Sequence, residues 1–184
     1  MSAISSASCW PIRLTIERSF VGRMTKLVLY HGTDCEIERI ELGKSLPRRD
    51  FGVGFYMTRN KTQAENWAKS KKSRKASQYA ILYVYEAEPD DEIRIKLFES
   101  MTEEWLEMIR RNRLLDGVQH PYDIVIGPEA DDNSWAFLKA YIQGERSAKE
   151  TLEQLSASEK RDQVSFHTER ALRCLRLVGK YYLD

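Results

Sequence analysis

Residues 50–58 read Asp50-Phe51-Gly52-Val53-Gly54-Phe55-Tyr56-Met57-Thr58 and take the chain through two glycines directly into an aromatic strand. Glycine permits a positive φ or the close approach of another chain or a ligand, so Gly52 and Gly54 predict a tight turn beside a binding surface. Residues 26–33 read Lys26-Leu27-Val28-Leu29-Tyr30-His31-Gly32-Thr33, a strand-like run that ends in a polar turn. The two stretches together predict strand ends that bring histidine, glycine and tyrosine to one place, where a flat, polar cofactor can bind.

The composition is that of a single globular domain. The chain has 184 residues, of which 42% are hydrophobic and 31% charged, and its net charge is +1. A chain of this length buries on the order of 70% of its unfolded surface and needs no disulfide or metal staple. Cys9, Cys35 and Cys174 form no metal-binding or disulfide pattern, so no metal is predicted and a cytoplasmic location fits best. No apolar run approaches the roughly 18 residues that span a bilayer, so no membrane partner is expected.

The N-terminal segment differs from the rest of the chain. Residues 1–23 are serine-rich, carry three arginines against one acid, and lack the basic start and apolar core of a secretory signal. We predict that residues 1–23 are a disordered or over-extended leader that the fold can lose. Residues 24–184 are predicted to form the domain, since Met24 directly precedes the first strand.

Strand and helix signals are mixed unevenly along the domain. Further strand-like runs are residues 79–87, 92–98, 122–128, 163–166 and 177–183, the first two joined as a pair by the turn Pro89-Asp90-Asp91. Helix starts are predicted at Asn60, Thr102, Ser134, Ser147 and Thr168. Core positions on the helical faces are predicted for Trp67, Trp105 and Trp135. Because the order lacks regular βαβ alternation, the pattern predicts an α+β fold with mainly antiparallel pairing.

A third polar strand end lies late in the chain, where residues 162–169 read Asp162-Gln163-Val164-Ser165-Phe166-His167-Thr168-Glu169. Two further stretches are Tyr122-Asp123-Ile124-Val125-Ile126-Gly127-Pro128 and Ala130-Asp131-Asp132-Asn133. Five segments, residues 29–33, 50–58, 122–128, 130–133 and 163–172, resemble in this order a bacterial family of uncharacterised domains of the ADP-ribosyltransferase superfamily. Five ordered matches over about 155 residues are more specific than any one short motif.

The resemblance implies a fold, an activity and a partner. The fold would be ADP-ribosyltransferase-like, with split, mainly antiparallel β-sheets and flanking helices. The activity would be transfer of ADP-ribose from NAD to a macromolecule (RNA, DNA or protein), with NAD as co-substrate and no metal. Such proteins are often toxins of toxin–antitoxin or phage-defence modules, so a small antitoxin-like partner is expected.

The resemblance also implies roles for residues of the first two segments. His31 would hydrogen-bond the adenosine-side ribose, and the backbone of Gly32 would bind the nicotinamide amide. Tyr56 would stack on the nicotinamide ring, while Thr33 would bond a ribose hydroxyl or cap the turn. The remaining cofactor-binding candidates are Gly54 and Phe55, and Phe55, like Phe51, also fits a core position.

The third segment departs from the best-known members of the superfamily, which carry a glutamate where this chain has Gln163. Glutamine can orient a ribose hydroxyl but cannot accept a proton or supply negative charge. Three alternatives follow: a carboxylate elsewhere substitutes, catalysis relies on positioning alone, or the domain is a silent module that binds NAD or RNA. The candidate carboxylates are Asp132 and Asp131, ranked above Glu169, although both aspartates also fit a helix N-cap.

Two more alternatives concern the reaction and the acceptor. The same pocket would serve an NAD glycohydrolase, with water in place of the macromolecular acceptor. The run Lys69-Ser70-Lys71-Lys72-Ser73-Arg74-Lys75 holds five cations in seven residues. Such a run is typical of a solvated helix end, and it would also bind the phosphates of a nucleic-acid acceptor.

Overall fold

A computed structural model describes residues 26–118, 120–130, 135–155 and 161–184. The predictions made for the leader, residues 1–23, and for Asp131 and Asp132 lie outside these ranges. The described residues form the α+β fold with mainly antiparallel sheets that the sequence predicts, and helices flank both sheets.

Two β-sheets form the centre of the fold. The first contains β1 (Leu27–Thr33), β3 (Ala80–Ala87) and β7 (Leu175–Leu183), in the order β1-β3-β7. The second contains β2 (Phe55–Met57), β4 (Ile95–Leu97), β5 (Ile124–Pro128) and β6 (Asp162–Phe166), in the order β2-β6-β5-β4. Within the described residues, β4 and β5 are the one parallel pair.

The two sheets meet where β1 passes the end of β2. Tyr30 N–H donates to the Thr58 carbonyl at 2.8 Å, and Thr58 N–H donates back to the Tyr30 carbonyl at 3.0 Å. Beyond this bridge β1 and β2 do not pair, so the sheets diverge. Side chains from both sheets form the first hydrophobic core, which includes Leu29, Met57, Ile81, Tyr83, Ile124, Val164 and Phe166.

The helices are α1 (Lys61–Lys75), α2 (Glu103–Leu114), α3 (Trp135–Ile142), α4 (Ala148–Leu155) and α5 (Glu169–Leu172). A short 3₁₀ turn spans Leu42–Lys44. α1 begins at the predicted cap, since the Asn60 side chain accepts a hydrogen bond from Gln63 N–H at 3.1 Å. α2, α3 and α4 pack on the second sheet and form a second core, which includes Phe51, Trp105, Leu106, Ile109, Val125 and Leu138. No helix of the described residues is long and apolar enough to cross a membrane.

α1 packs against β1 through small residues. Ala64 and Ala68 are its two buried residues, and they face Gly32. A Cβ atom on Gly32 would lie 1.9 Å from the Ala64 carbonyl oxygen, far inside van der Waals contact. The packing of α1 on β1 therefore requires glycine at residue 32. This requirement does not depend on what the backbone of Gly32 binds.

The predicted pairing of residues 79–87 with residues 92–98 is wrong. β3 is paired on both edges, by β1 and β7, so it has no edge left for the strand that follows it. That strand, β4, lies in the second sheet and pairs with β5. The turn after β3 therefore carries the chain from one sheet to the other and closes no hairpin.

Of the three tryptophans predicted to lie in the core, one is buried there. Trp105 is fully buried, as predicted, whereas Trp67 and Trp135 are 39% and 42% exposed. The Arg74 guanidinium lies 4.9 Å from the centre of the Trp67 ring, and that of Arg113 lies 4.6 Å from the Trp135 ring. A cation stacked on a ring stabilises it at the surface, so neither indole needs a core position.

Candidate functional site

The three polar strand ends converge on β2. β1 is joined to Thr58, immediately after β2, and β6 pairs with β2 from Phe55↔Phe166 to Met57↔Val164. β1 and β6 therefore flank β2, two strand spacings or on the order of 10 Å apart. His31 and Gln163 lie on opposite sides of this strand.

The imidazole of His31 occupies the gap where the sheets diverge. Its Nδ1 lies 2.7 Å from the Tyr56 carbonyl oxygen, which can only accept, so Nδ1 carries the proton. Burial lowers the pKa of His31 to about 4, so the ring is neutral at pH 7. Nε2 is then an acceptor; it has no hydrogen-bond partner in the described chain, and it is not among the fully buried atoms.

The backbone of Gly32 faces the same gap. Backbone direction repeats every second residue of a strand, so Gly32 N–H and C=O point to the side where Tyr30 bonds Thr58. The Tyr56 carbonyl that would otherwise continue this ladder is occupied by His31. Among the described residues nothing bonds this edge of Gly32, so one donor and one acceptor are available there. Thr33 Oγ1 accepts from Cys35 N–H at 3.4 Å and so caps the turn, while its bond to a ribose hydroxyl stays a prediction.

Gln163 is held from the other side of β2. Its Nε2 donates to Asp50 Oδ2 at 2.9 Å and to the Pro128 carbonyl at 3.2 Å. Both partners are acceptors only, which assigns the amide orientation without ambiguity. Gln163 is 8% exposed, and its Oε1 has no partner in the described ranges and is not fully buried. Like His31 Nε2, it is an accessible acceptor whose opposite side is fixed by the protein.

Asp50 is the functional candidate that sequence reasoning missed. Its carboxylate is 5% exposed and accepts hydrogen bonds from Gln163, from Arg113 Nε at 2.9 Å and from Ala130 N–H at 3.2 Å. Its position at the head of residues 50–58 was the available signal. Glu169, one of the predicted substitutes, lies exposed in the first turn of α5.

The loop of residues 50–54 is braced through its carbonyl groups. Tyr56 Oη donates to the Gly52 carbonyl at 2.7 Å, and His120 Nε2 donates to the Phe51 carbonyl at 2.9 Å. His167 Nδ1 donates to the Val53 carbonyl at 2.8 Å. Burial raises the pKa of Tyr56, so its hydroxyl stays protonated. The hydroxyl thus has a structural role, and stacking of the ring on nicotinamide stays a prediction.

The two other pocket candidates next to this loop contact histidines. Gly54 lies against His167, since a Cβ there would be 2.7 Å from Nδ1. Phe55 stacks on the His31 ring at 4.5 Å between centroids and packs against the first core. Phe55 therefore forms part of the wall of the gap between β1 and β2, whereas Gly54 lies on the side of β6.

The stability of this loop is expected to depend on pH through His167. Its Nδ1 proton is held by Val53, its Nε2 accepts from Ser165 Oγ at 2.8 Å, and burial lowers its pKa to about 4. A histidine whose folded pKa lies below its unfolded value near 6.5 gives full stability above pH 6.5 and loses it as the pH falls towards 4. Between pH 7.5 and 5.0, His167 alone is expected to lower the unfolding free energy by about 2 kcal/mol. Denaturant unfolding at the two pH values measures this loss, and a His167→Gln variant with the same loss would contradict it.

The basic run forms the last two turns of α1, beside β1. Lys71 and Arg74 lie 5.8 and 4.9 Å from the Trp67 ring centre, and Lys75 pairs with Asp34 at 3.2 Å. After burial, the charge of Lys71 also contributes to the low pKa of His31. The cationic surface of α1 therefore extends to the edge of the candidate site.

A shallow polar depression adjoins the start of β6. It is lined by Arg59, Asn60, Gln63 and Asp162. Thr58 Oγ1 donates to Asp162 Oδ1 at 2.6 Å, which ties the end of β2 to the residue before Gln163. In the described part of the chain no cluster of three histidine, cysteine or acidic residues could hold a metal ion.

Comparison with known proteins gives one match. A family model described as "Protein of unknown function (DUF3990)" matches residues 27–177. This span contains His31, Asp50, Tyr56 and Gln163, so the whole candidate site lies inside it. No curated protein and no solved structure matches the chain.

Proposed function

The chain belongs to the DUF3990 family of proteins of unknown function, and we propose that it is an NAD-dependent ADP-ribosyltransferase acting on a macromolecule. The proposal rests on one observation: His31 Nε2 and Gln163 Oε1 are accessible acceptors held on either side of β2. NAD carries two ribose rings with hydroxyl donors: His31 would orient the adenosine-side ribose, and Gln163 would orient the ribose that bears nicotinamide. The split between the sheets is consistent with an ADP-ribosyltransferase-like fold.

The nicotinamide end of NAD fits the remaining groups. Its carboxamide has one donor side and one acceptor side, which complement the free N–H and C=O of Gly32. Tyr56 would contribute its ring to stacking, as the resemblance implies. NAD held in this way would lie between β1 and β6, with nicotinamide against the edge of β1.

The reaction breaks the bond between the ribose anomeric carbon and the nicotinamide nitrogen, and nicotinamide leaves with the electron pair. The sugar passes through an oxocarbenium-like state, and a lone pair of the acceptor forms the new bond as the acceptor loses its proton to water. Gln163 would hold the reacting ribose and His31 the adenosine-side ribose, so that leaving group and acceptor lie in line. Nearby acceptor oxygens favour the positive charge that develops on the sugar.

The acceptor that the surface favours is a nucleic acid. Residues 69–75 bring five cations to one end of α1, and the exposed Trp67 lies among them. Cations bind phosphates without sequence preference, and an exposed indole can stack on an unpaired base. Because α1 packs directly on β1 at Gly32, a strand bound to α1 would pass close to the proposed NAD site.

Labelled NAD incubated with separate pools of RNA, DNA and protein tests the proposal. We expect label in one pool, and we expect Gln163→Ala and His31→Ala to reduce it by about 100-fold. Gln143→Ala is the matched control, since Gln143 is an exposed glutamine after α3, and it is expected to keep full activity.

The other outcomes of this assay point to the alternative functions. Free ADP-ribose and nicotinamide in the absence of an acceptor would identify an NAD glycohydrolase. NAD that binds and stays intact would identify a silent binding module. Label that is unchanged in both variants would show that the site has been assigned to the wrong residues.

The proposed biological role is that of a toxin. An enzyme that consumes NAD and modifies RNA, DNA or protein harms the cell that makes it, so it needs an inhibitor. We propose a small antitoxin-like protein that covers the gap between β1 and β2. A small open reading frame beside the gene would support this role.

A further inference from the structure

We propose that Asp50 and Gln163 act as one unit at the site. Asp50 positions and polarises the Gln163 amide, so that Oε1 accepts the hydrogen bond of a ribose hydroxyl in place of a glutamate oxygen. This inference rests on the proposed function, and it assigns a role to a residue on a different segment. It also answers which carboxylate accompanies Gln163: Asp50 is in direct contact with it.

The contacts allow one orientation of the amide. The two N–H groups of Nε2 bond the Asp50 carboxylate at 2.9 Å and the Pro128 carbonyl at 3.2 Å. Turning the amide over would place Oε1 against two oxygen atoms and lose both hydrogen bonds. Oε1 is therefore already oriented away from Asp50 and Pro128 before substrate binds. This is the preorganisation that a catalytic acceptor needs.

The charge of Asp50 reaches Oε1 through the amide. A hydrogen bond from a neutral N–H to a carboxylate is charge-assisted, and it shifts amide electron density towards the carbonyl oxygen. Solvent screens this hydrogen bond little, because Asp50 is 5% exposed, while the paired Arg113 guanidinium offsets part of the charge. Arg113 and Ala130 N–H hold the carboxylate from other directions, so it stays in place.

A glutamate side chain at residue 163 does not fit the same surroundings. Its carboxylate would face the Asp50 carboxylate at the distance of a hydrogen bond, with the Pro128 carbonyl beside it, so the two carboxylates would repel each other or share one proton. The Asp50 carboxylate therefore requires an uncharged hydrogen-bond donor at residue 163, which glutamine supplies. A pair made of one amide and one carboxylate delivers an oriented, electron-rich oxygen, and two carboxylates do not.

A variant cycle tests the pair in the full chain, with Gln163→Glu, Asp50→Asn and the double variant. The steady-state kcat and KM for NAD and the melting temperature are measured for each. We expect Gln163→Glu to lower kcat by more than tenfold, although it introduces the residue usual in the superfamily. Asp50→Asn is expected to lower kcat by about tenfold with KM nearly unchanged, because substrate still binds while the polarisation is lost, and the melting temperature reports the loss of the ion pair with Arg113.

The double variant is the decisive member of the cycle. In it, the amide introduced at residue 50 can donate an N–H to the carboxylate introduced at residue 163, which restores an amide–carboxylate pair with the partners exchanged. We expect its kcat to exceed that of Gln163→Glu by about tenfold. Gln143→Glu adds the same charge at an exposed glutamine, and it is expected to match the wild type in kcat and in melting temperature.

The outcomes separate this inference from the proposed function. A Gln163→Glu enzyme with wild-type or higher kcat overturns the pair and leaves the transferase intact. A double variant no better than Gln163→Glu, with all variants folded by melting temperature, overturns it as well. A wild-type chain that neither transfers nor hydrolyses NAD overturns the proposed function and the positioning role together.

Discussion

Replacing Gly32 with alanine is expected to lower the unfolding free energy by about 3 kcal/mol, at the upper end of overpacking costs. The new Cβ would lie 1.9 Å from the Ala64 carbonyl oxygen and 3.0 Å from Ala68 N. These are backbone atoms of α1, so no side-chain rotation relieves the contact, and the helix has to move away from β1. Chemical denaturation followed by circular dichroism measures the loss.

Gly43→Ala is the matched control for this substitution. Gly43 lies exposed in the 3₁₀ turn, and a Cβ there would meet nothing within 4 Å. Its unfolding free energy is expected to stay within about 0.5 kcal/mol of the wild type. Equal stability of the Gly32 and Gly43 variants would contradict the close contact of α1 with β1.

Replacing Asp123 with alanine is expected to cost about 3 kcal/mol of unfolding free energy. Asp123 is 1% exposed and accepts hydrogen bonds from Arg94 N–H at 2.9 Å, from Thr168 Oγ1 at 2.9 Å and from Arg170 Nη2 at 2.6 Å. These donors come from the approach to β4 and from the start of α5. Removing the carboxylate leaves them without an acceptor and loosens both elements from β5. Thermal and denaturant unfolding measure the loss.

Protonation of Asp123 at low pH is expected to lower the stability of the fold. Burial raises its pKa, but hydrogen bonds from Arg94, Arg170 and Thr168 outweigh burial and lower it to about 2. A carboxylate with a folded pKa below its usual 3.8 stabilises above that value and loses its contribution as the pH falls to 2. Asp123→Asn is expected to remove about 2 kcal/mol at pH 7 and to flatten the stability profile between about pH 5 and 2.

A carboxylate in an exposed ion pair is the control for Asp123. Glu41 pairs with Lys44 in the 3₁₀ turn, where both side chains are about half exposed or more. Glu41→Gln is expected to change stability by less than about 0.5 kcal/mol. An Asp123 variant that behaves like the Glu41 variant would show that Asp123 does not link β5 to its neighbours.

Local features were predicted well from the sequence, because neighbours in the chain produce them. The Asn60 cap needs only an amide oxygen three residues before a free N–H group. Gly52 adopts φ +83°, as the paired glycines of residues 50–58 predict. His31 and Gln163 were named from the resemblance of their segments to a known superfamily, and their binding roles stay predictions.

Partners distant in the chain were not predictable in the same way. Asp50 and Gln163 are 113 residues apart, and no pattern in either segment indicates which side chain the other meets. The failed pairing of residues 79–87 with residues 92–98 has the same origin. A turn indicates that a chain can reverse, but the edges of β3 were already taken by β1 and β7.

The sequence by itself determined the strand ends, the caps, the glycine turns and the mainly antiparallel α+β class, since these follow from backbone preference and local hydrogen bonding. Tertiary structure decided which groups at those ends have their bonds satisfied and which are left free. Packing brings Nδ1 of His31 within hydrogen-bond distance of the Tyr56 carbonyl, and Nε2 of Gln163 within hydrogen-bond distance of the Asp50 carboxylate. The acceptors Nε2 of His31 and Oε1 of Gln163 are thereby left accessible, because an orientation can be set only by atoms that the fold brings within hydrogen-bond distance.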